Sequence, residues 1–548
     1  MESKGSLLFL DFTNKTGLAV ARNLSKYGFR ISVVLFSDVA ARYSKYVDQV
    51  FYWGDPACNV AGFVDRLIIL LNEKQFDALI PVTDGALEIC RRYATLISEK
   101  IKILGMNDYD AYKFSFDKHE LLNEGKSNGL IIPKGTLVRN PDDLKPDIIG
   151  GYSFPIMAKP VSSAIISNNI LLTFTARKCN DQTELTDFIR ENVNQVPVLI
   201  QEYLDGYGIG FNFISKDGEI LNSYIHRRIH EHKGVSTLRE SLPSSFYDIE
   251  DRVKKLVGHI HWNGVGMVEF RVTPDQLPVL MEFNGRFFGS TELSVKSGIN
   301  LPVQFIDIFL LNHDIETGLK PKHVSVRFLH DEVLLNGAKL ARLRVREFMS
   351  WLADLIVSLF GRNHFIEDCL TKDPMFVSAI YIYDCRKWYN ALKRKVMSMF
   401  IRIRPLDRKS LTGLRRIMFF CHGNICRSPF AMEYARKVCH EFVFNSAGVV
   451  EKEKRMPPCF AVKAAEKFGV GLEKHLSRSL CSVNEDDVDM YVVMDKRNYT
   501  SLRERNISSS KIRFLGNREI TDPYGGDIND YTAIYREIMS EIDRVFKR

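Results

Sequence analysis

The run Cys421-His422-Gly423-Asn424-Ile425-Cys426-Arg427-Ser428, followed by Pro429, joins residue types that can move a phosphoryl group. A nucleophilic sulfur must be a thiolate near neutral pH, and that requires positive potential. A transferring phosphoryl group spreads charge over three equatorial oxygens, so it needs converging donors. A compact loop turns successive backbone N–H groups inward as an anion nest, and a helix N-terminus adds more donors. Gly423 permits the tight backbone, Pro429 suits a first helical turn, and Arg427 offers a planar fork to two phosphate oxygens. Of the ten cysteines, only Cys421 has an arginine six positions on, and only it follows an apolar run and precedes a helical one. The chemistry also needs an acid for the leaving oxygen. Asp522, in the turn-rich segment Asp522-Pro523-Tyr524-Gly525-Gly526-Asp527, is the candidate.

A second constellation lies upstream, in Val279-Leu280-Met281-Glu282-Phe283-Asn284-Gly285-Arg286. On a strand, Glu282 and Asn284 fall on one face, two apart. Two oxygen donors suit Mg²⁺, which takes few protein ligands and shares the rest with phosphates and water. Glu269, in Gly266-Met267-Val268-Glu269-Phe270, is a third candidate ligand, and Arg286 can neutralise a transferring phosphate. Lys159 follows the apolar run from Phe154 to Ala158, and Gln201-Glu202-Tyr203-Leu204 follows Val198 to Ile200. Between these runs and the acids lie Arg227, Arg228 and Arg239, placed to hold an anionic acceptor.

The elements that must carry these residues are legible as alternating patterns. Ser6–Phe12 reads as a strand, Leu18–Tyr27 as a helix and Arg30–Phe36 as a strand, the grammar of a parallel α/β sheet. Ala78–Val82 continues it and ends at Asp84, where such sheets bind ligands. Strands are expected at Ile156–Lys159, Val198–Tyr203, Val265–Arg271 and Val279–Asn284, with a helix near Ile249–His259, giving an α+β unit. Residues 343–360 and 386–404 read as helices. The second holds Arg386, Lys387, Lys393, Arg394, Lys395, Arg402 and Arg404, no acid, and interleaved apolar residues such as Trp388 and Phe400. It is read as a connector packing its apolar side on a neighbouring domain, or as an amphipathic helix on anionic lipid.

The expected division is therefore an α/β domain at 1–110, an α+β domain at 111–312, a helical basic connector at 313–412 and a C-terminal α/β domain at 413–548. A chain of 548 residues fits several such units, and 26% charged with 45% apolar residues fits folded domains. The net charge of +8 is mild for this length, so no nucleic-acid partner is expected. No Cys-x-x-Cys pair gives zinc spacing, no secretory leader is visible, and no apolar stretch approaches the ~20 residues of a membrane span. A cytoplasmic location with reduced thiols is the expectation.

Cys421 to Pro429, Asp489-Met490-Tyr491-Val492-Val493-Met494-Asp495 and Asp522-Pro523-Tyr524 together resemble the low-molecular-weight protein tyrosine phosphatases, over about residues 413–548. The resemblance implies a four-stranded parallel sheet with flanking helices and no cofactor. It implies Cys421 as the nucleophile that becomes a phosphocysteine, Arg427 as the phosphoryl holder and Asp522 as general acid, then base. Asn424 would order the loop, Ser428 support the thiolate, and Tyr524 line the pocket for an aromatic leaving group. Arsenate reductases share the loop but carry a cysteine pair where this chain reads Met494-Asp495-Lys496-Arg497-Asn498. Cys426 could pair with Cys421 under oxidation.

The upstream order is similar to the ATP-grasp superfamily: Asp117-Lys118 and Lys159 on phosphate, Gln201, Glu202, Tyr203 and Leu204 at the adenine hinge, then Glu269, Glu282, Asn284 and Arg286 for Mg²⁺ and the γ-phosphate. This likeness covers roughly residues 1–312, with the first domain as the α/β domain that precedes an ATP-grasp domain. The loop from Val161 to Asn169 lacks the glycines that usually cover the ATP phosphates. The resemblance implies ATP and Mg²⁺ as cofactors and an acyl-phosphate intermediate captured by an amine, with the carboxylate and the amine unidentified. Two whole-chain readings stand. One is a bifunctional carboxylate–amine ligase and phosphatase acting on a phosphotyrosine protein or a small phosphomonoester. The other is a regulatory protein whose ATP-grasp part only binds a ligand.

Overall fold

The computed structural model describes residues 3–54, 56–143, 151–232, 235–341, 345–360, 363–368 and 371–547. The chain forms two compact units, each assembled from separated stretches. The first comprises Met1–Lys134, Val161–Phe174 and Leu204–Arg386, and the second Gly135–Pro160, Thr175–Tyr203 and Lys387–Arg548.

In the first unit, four strands form a parallel sheet in the order Gln49–Tyr52, Phe29–Leu35, Gly5–Leu10, Ala78–Pro81. Successive side chains on a strand point to opposite faces. Leu7 and Phe9 accordingly enter one core with Phe305 and Val326. Leu8 and Leu10 enter another, with Phe63, Val64 and Leu67 of the helix Val60–Glu73. Both faces are covered, as a parallel sheet requires.

The same unit holds a seven-stranded sheet in the order Pro278–Asn284, Gly264–Val272, Tyr207–Lys216, Glu219–His232, Val235–Leu242, Ser325–Arg327, His364–Ile366. All its pairings are antiparallel except the last. The strands expected at 265–271 and 279–284 are present, and the expected helix is Glu250–His259. Glu219–His232 carries His226, Arg227, Arg228, His230 and Glu231, a polar density that hides its alternation. The 313–412 stretch is not wholly helical. Ser325–Arg327 and His364–Ile366 extend the large sheet as strands of three residues each, too short to leave a periodic pattern in the sequence. Its helices are Leu329–Ala341, Val345–Phe360 and Pro374–Phe400.

The second unit holds an antiparallel sheet ordered Gly135–Val138, Val198–Glu202, Ile156–Pro160, Arg177–Cys179. On it packs the helix Gln182–Asn192, through Leu185, Phe188 and Ile189. The spacing i, i+3, i+4 is one face of a helix, so Asp187, Arg190 and Glu191 point elsewhere. The second sheet of this unit is four-stranded and all parallel, ordered Val443–Gly448, Arg416–Cys421, Met490–Val493, Ile512–Phe514. Ile417, Phe419 and Cys421 share one core cluster, while Met418 and Phe420 enter the opposite one.

Among the described residues no helix is long and apolar enough to cross a membrane. Trp388 and Tyr389 are exposed, at 74% and 61%. The side chains at 387 and 390–400 lie outside the described residues, so the lipid-binding reading of 386–404 rests on sequence.

Candidate active sites

Strand Arg416–Cys421 ends at the cysteine, and the helix Arg427–Val438 begins where the loop closes. This places Cys421 Sγ beneath a set of donors. The Asn424 N–H lies 3.2 Å from the sulfur and Ser428 Oγ 3.0 Å. Asn424 adopts φ 52°, a left-handed conformation that asparagine tolerates better than most residues. Its side-chain amide donates to Ser428 Oγ and Ser446 Oγ, each at 2.9 Å, and its Oδ1 accepts from the Arg478 N–H at 2.8 Å. His475 Nε2 meets the Asn424 carbonyl at 2.9 Å. Every polar atom of Asn424 that turns into the protein is thereby used, and the residue is fully buried.

Arg427 is 1% exposed. It donates to Asp495 Oδ2 at 2.7 Å, to the Ile520 carbonyl at 2.9 Å and to Asp522 Oδ2 at 2.7 Å. Burial works against its charge, but Cys421, Asp522 and Asp495 outweigh burial and raise its pKa. The structure thus brings Cys421, Asn424, Arg427, Ser428 and Asp522 to one locus. Asp495 and Ser446 belong to it as well, although sequence reasoning gave them no role. The signal for Asp495 was its place after the strand Met490–Val493, as the cap of Lys496–Glu504, where it also accepts from the Asn498 N–H. Gly448 is a further addition. A Cβ there would stand 2.9 Å from both the Asn424 nitrogen and the His422 oxygen, so the neighbouring strand can approach the loop only as glycine. Cys426 is buried, its sulfur 3.7 Å from the Tyr531 hydroxyl, and burial pushes its thiol pKa well up.

In the first unit, Pro278–Asn284 and Gly264–Val272 pair so that Glu282 stands opposite Glu269. Asn284 Nδ2 lies 3.2 Å from Glu282 Oε1, and Lys118 Nζ lies 3.8 Å from Glu282 Oε2 and 3.1 Å from Ser163 Oγ. Arg286 forms a two-pronged pair with Asp84, at 2.6 and 2.9 Å. Burial opposes ionisation of Asp84, yet Arg286 holds its carboxyl below the usual range. Glu269 pairs with Arg228 at 2.8 Å, while burial raises its pKa against that arginine. Two carboxylates and one amide therefore converge, with cations beside them, a donor set that fits a hard cation holding phosphate oxygens. Among the described residues no group of three or more His, Cys, Asp or Glu side chains forms a metal cluster.

Lys159, Gln201, Glu202 and Tyr203 belong to the second unit, on or beside adjacent strands, and Leu204 begins a stretch of the first. Gln201 is 1% exposed, and among the described residues neither of its side-chain polar atoms has a hydrogen-bond partner. An orphaned buried amide is costly unless a ligand edge satisfies it, which fits a nucleotide base. Lys178 Nζ sits 3.7 Å over the Tyr203 ring. Arg239 is buried in a 2.7 Å pair with Glu367, and Arg227 pairs with Glu240. The carboxyl ends of Gly5–Leu10 and Ala78–Pro81 open into a cavity of 620 Å³ lined by Asn14, Lys15, Thr83, Arg286, His330 and Asp331, among others. Of its lining residues the sequence had pointed to Asp84, at the end of a strand, and to Arg286, as a phosphate neutraliser beside Glu282.

The segment Val161–Asn169 is built into a hairpin, Ala164–Ser167 with Ile170–Thr173. Asn168 and Asn169 turn it with φ of 51° and 62°. Asn169 accepts from the N–H groups of Val60 and Ala61 at the start of Val60–Glu73, so the hairpin is fastened to the first domain.

Residues 416–548 match the family model "Low molecular weight phosphotyrosine protein phosphatase", and residues 194–331 match "ATP-grasp in the biosynthetic pathway with Ter operon". The low molecular weight phosphotyrosine protein phosphatase of Rattus norvegicus is 27% identical over 144 residues, 23% of this chain and 90% of that protein. That of Sus scrofa is 29% identical over 142 residues, 23% and 89%. The low molecular weight protein-tyrosine-phosphatase Wzb of Salmonella typhi is 27% identical over 125 residues, 22% and 84%. Among solved structures, an L-amino acid ligase from Bacillus licheniformis aligns with a TM-score of 0.47 at 17% identity, over 59% of this chain and 80% of its own.

Proposed function

For a chain that joins an ATP-grasp region to a low-molecular-weight-phosphatase region, we propose a bifunctional enzyme. One activity is a cysteine-dependent phosphatase, and the other an ATP-dependent carboxylate–amine ligase. The phosphatase reading rests on one observation above others: the buried Cys421 sulfur meets the Asn424 N–H and Ser428 Oγ, and the buried Arg427 of the same loop pairs with Asp522. The Cys421 thiolate attacks phosphorus and the bond to the leaving oxygen breaks as Asp522 protonates it. Water then attacks the phosphocysteine, giving its proton to Asp522 and releasing inorganic phosphate. Arg427 and the loop N–H groups hold the three equatorial oxygens throughout. Tyr524 flanks the leaving group, which favours aryl phosphates such as phosphotyrosine. Cys421→Ser is expected to abolish hydrolysis of p-nitrophenyl phosphate and of phosphotyrosine peptides, and activity equal to wild type would overturn the reading.

For the ligase, ATP phosphorylates a carboxylate and an amine displaces phosphate from the acyl phosphate, forming an amide. Glu269, Glu282 and Asn284 are the residues that would hold Mg²⁺, which supplies charge neutralisation at the phosphates when bound. Lys118 and Lys159 would hold phosphate oxygens, and Gln201 to Leu204 the base. Arg286 anchors the wall of the cavity beside Lys15 and Asp331, a place for an acceptor with both charges. Arg228 and Arg239 would act there only by releasing Glu269 and Glu367. The fastened hairpin at 164–173 favours the second reading, in which this region binds nucleotide without turnover. ADP release in a metabolite screen, dependent on Glu282, separates the two.

A further inference from the structure

Two segments lie against the Cys421 loop: 449–459 after Val443–Gly448, whose Arg455 meets Gly423, and the acid segment 522–527, whose Asp522 meets Arg427. Both are tied to the one helix Gln182–Asn192 and the turn that follows it, on the other sheet of the same unit. The N–H of Cys459 donates to Asp187 Oδ1 at 2.8 Å, and the N–H of Met456 donates to the Arg190 carbonyl at 2.9 Å. Lys452 donates to Asn192 Oδ1, and Asn194 and Gln195 donate to the carbonyls of Lys454 and Glu453. Arg455, in the middle of this segment, donates to the Gly423 carbonyl within the Cys421 loop itself. On the other wall, the Tyr524 hydroxyl donates to Glu191 Oε1, while Arg177 holds Glu191 Oε2 at 2.9 Å. Glu191 is 8% exposed, whereas Tyr524 as a whole is 47% exposed. The tyrosine is therefore anchored at its tip and open along its ring.

We propose that Glu191 is a positioning residue for the phosphatase reaction: it fixes the Tyr524 ring at the mouth of the Cys421 cleft and so sets the preference for aryl phosphates. The inference rests on the phosphatase reading and adds that the rim of the cleft is completed from outside the phosphatase domain. A buried, Arg-paired carboxylate holds its hydroxyl partner in a single orientation, because a charge-assisted hydrogen bond is short and strong. A ring held in place loses no rotamer freedom when an aromatic leaving group stacks on it.

The test uses the full chain and compares p-nitrophenyl phosphate with β-glycerophosphate, which has no ring. Glu191→Ala is expected to raise KM for the aryl ester roughly three- to tenfold, with kcat and the alkyl KM unchanged. Glu191→Gln, which keeps an acceptor, is expected to restore most of the aryl KM. On a Tyr524→Phe background, Glu191→Ala is expected to add nothing further, since both changes remove one interaction. An equal loss on both esters, or additive effects of the two substitutions, would overturn the proposal. Should Glu191→Ala fail to fold, Tyr524→Phe decides alone: it keeps the ring and loses only the tie, and an unchanged aryl KM overturns the idea. Aryl hydrolysis that persists in Cys421→Ser would instead remove the phosphatase reading and this inference with it.

Discussion

Asp522 stands 2.7 Å from Arg427, which Asp495 also holds at 2.7 Å. The two carboxylates are held differently: Asp495 also caps the helix Lys496–Glu504, while Asp522 sits on an exposed turn beside Pro523, where the proposed mechanism makes it the acid. Asp522→Asn is therefore expected to lower kcat on aryl phosphates roughly 10²–10³-fold with little change in KM. Arg427 stays anchored, so steady-state kinetics showing instead a large rise in KM would assign Asp522 to binding. At this scale the sequence was readable because the loop is local. The proposed nucleophile Cys421, the Asn424 amide, Arg427 and Ser428 lie within eight consecutive residues. Ser446 and Asp495 were not readable, since a serine on a neighbouring strand and an aspartate after another acquire their role only when the sheet pairs.

At the scale of elements, the Cys421 loop depends on the strand beside it. Gly448→Ala would force a methyl group to within 2.9 Å of the loop backbone. The expected cost is about 1–3 kcal/mol of stability. A fall in phosphatase activity larger than the fall in folded fraction, followed by circular dichroism and p-nitrophenyl phosphate turnover, would show the loop displaced rather than the domain lost. In the first unit, the helix Leu329–Ala341 is fastened to the large sheet through Glu332. That carboxylate accepts from His230 at 2.9 Å, Thr237 at 3.1 Å and Trp351 at 3.0 Å, and pairs with Arg327. Burial opposes its ionisation, but His230, Trp351 and Arg327 bring its pKa down to about 2. A depressed folded pKa contributes stability that is present above the unfolded value of about 4.3 and is lost as pH falls toward 2. Thermal melts are expected to drop across that window. Glu332→Gln should cost about 1–3 kcal/mol at pH 7 and flatten the dependence between pH 5 and 2; an unchanged slope would assign acid sensitivity elsewhere. The parallel strands and the acid-bearing hairpin were legible from their apolar runs. The strands Ser325–Arg327 and His364–Ile366 were not, because a strand of three residues is defined by its partners and not by its own pattern.

For the molecule as a whole, the proposal of two reactive centres predicts that they can be silenced separately. Glu282→Gln is expected to lower ATP turnover roughly a hundredfold or more and leave p-nitrophenyl phosphate hydrolysis intact. Cys421→Ser should do the reverse, so that loss of both activities in either variant would speak against separate chemistry. The basic stretch 386–404, helical only as far as Phe400, is expected to float with anionic vesicles, and to fail with neutral ones, if its charge meets lipid. No flotation at low salt would leave it as a connector. The sequence by itself singled out the candidate residues of each proposed centre, because a Cys-x5-Arg loop after a strand and a Glu-x-Asn-x-Arg run carry them within one local stretch. It also determined the α/β class, through the alternation of apolar runs. Only the tertiary structure decided what surrounds those groups. It set Glu269 across from Glu282, gave Arg239 to Glu367, fastened the hairpin at 164–173 to the first domain, and tied Tyr524 to Glu191. Each of these joins residues on different elements, and such pairs are chosen by strand register and helix face, which no single stretch of sequence encodes.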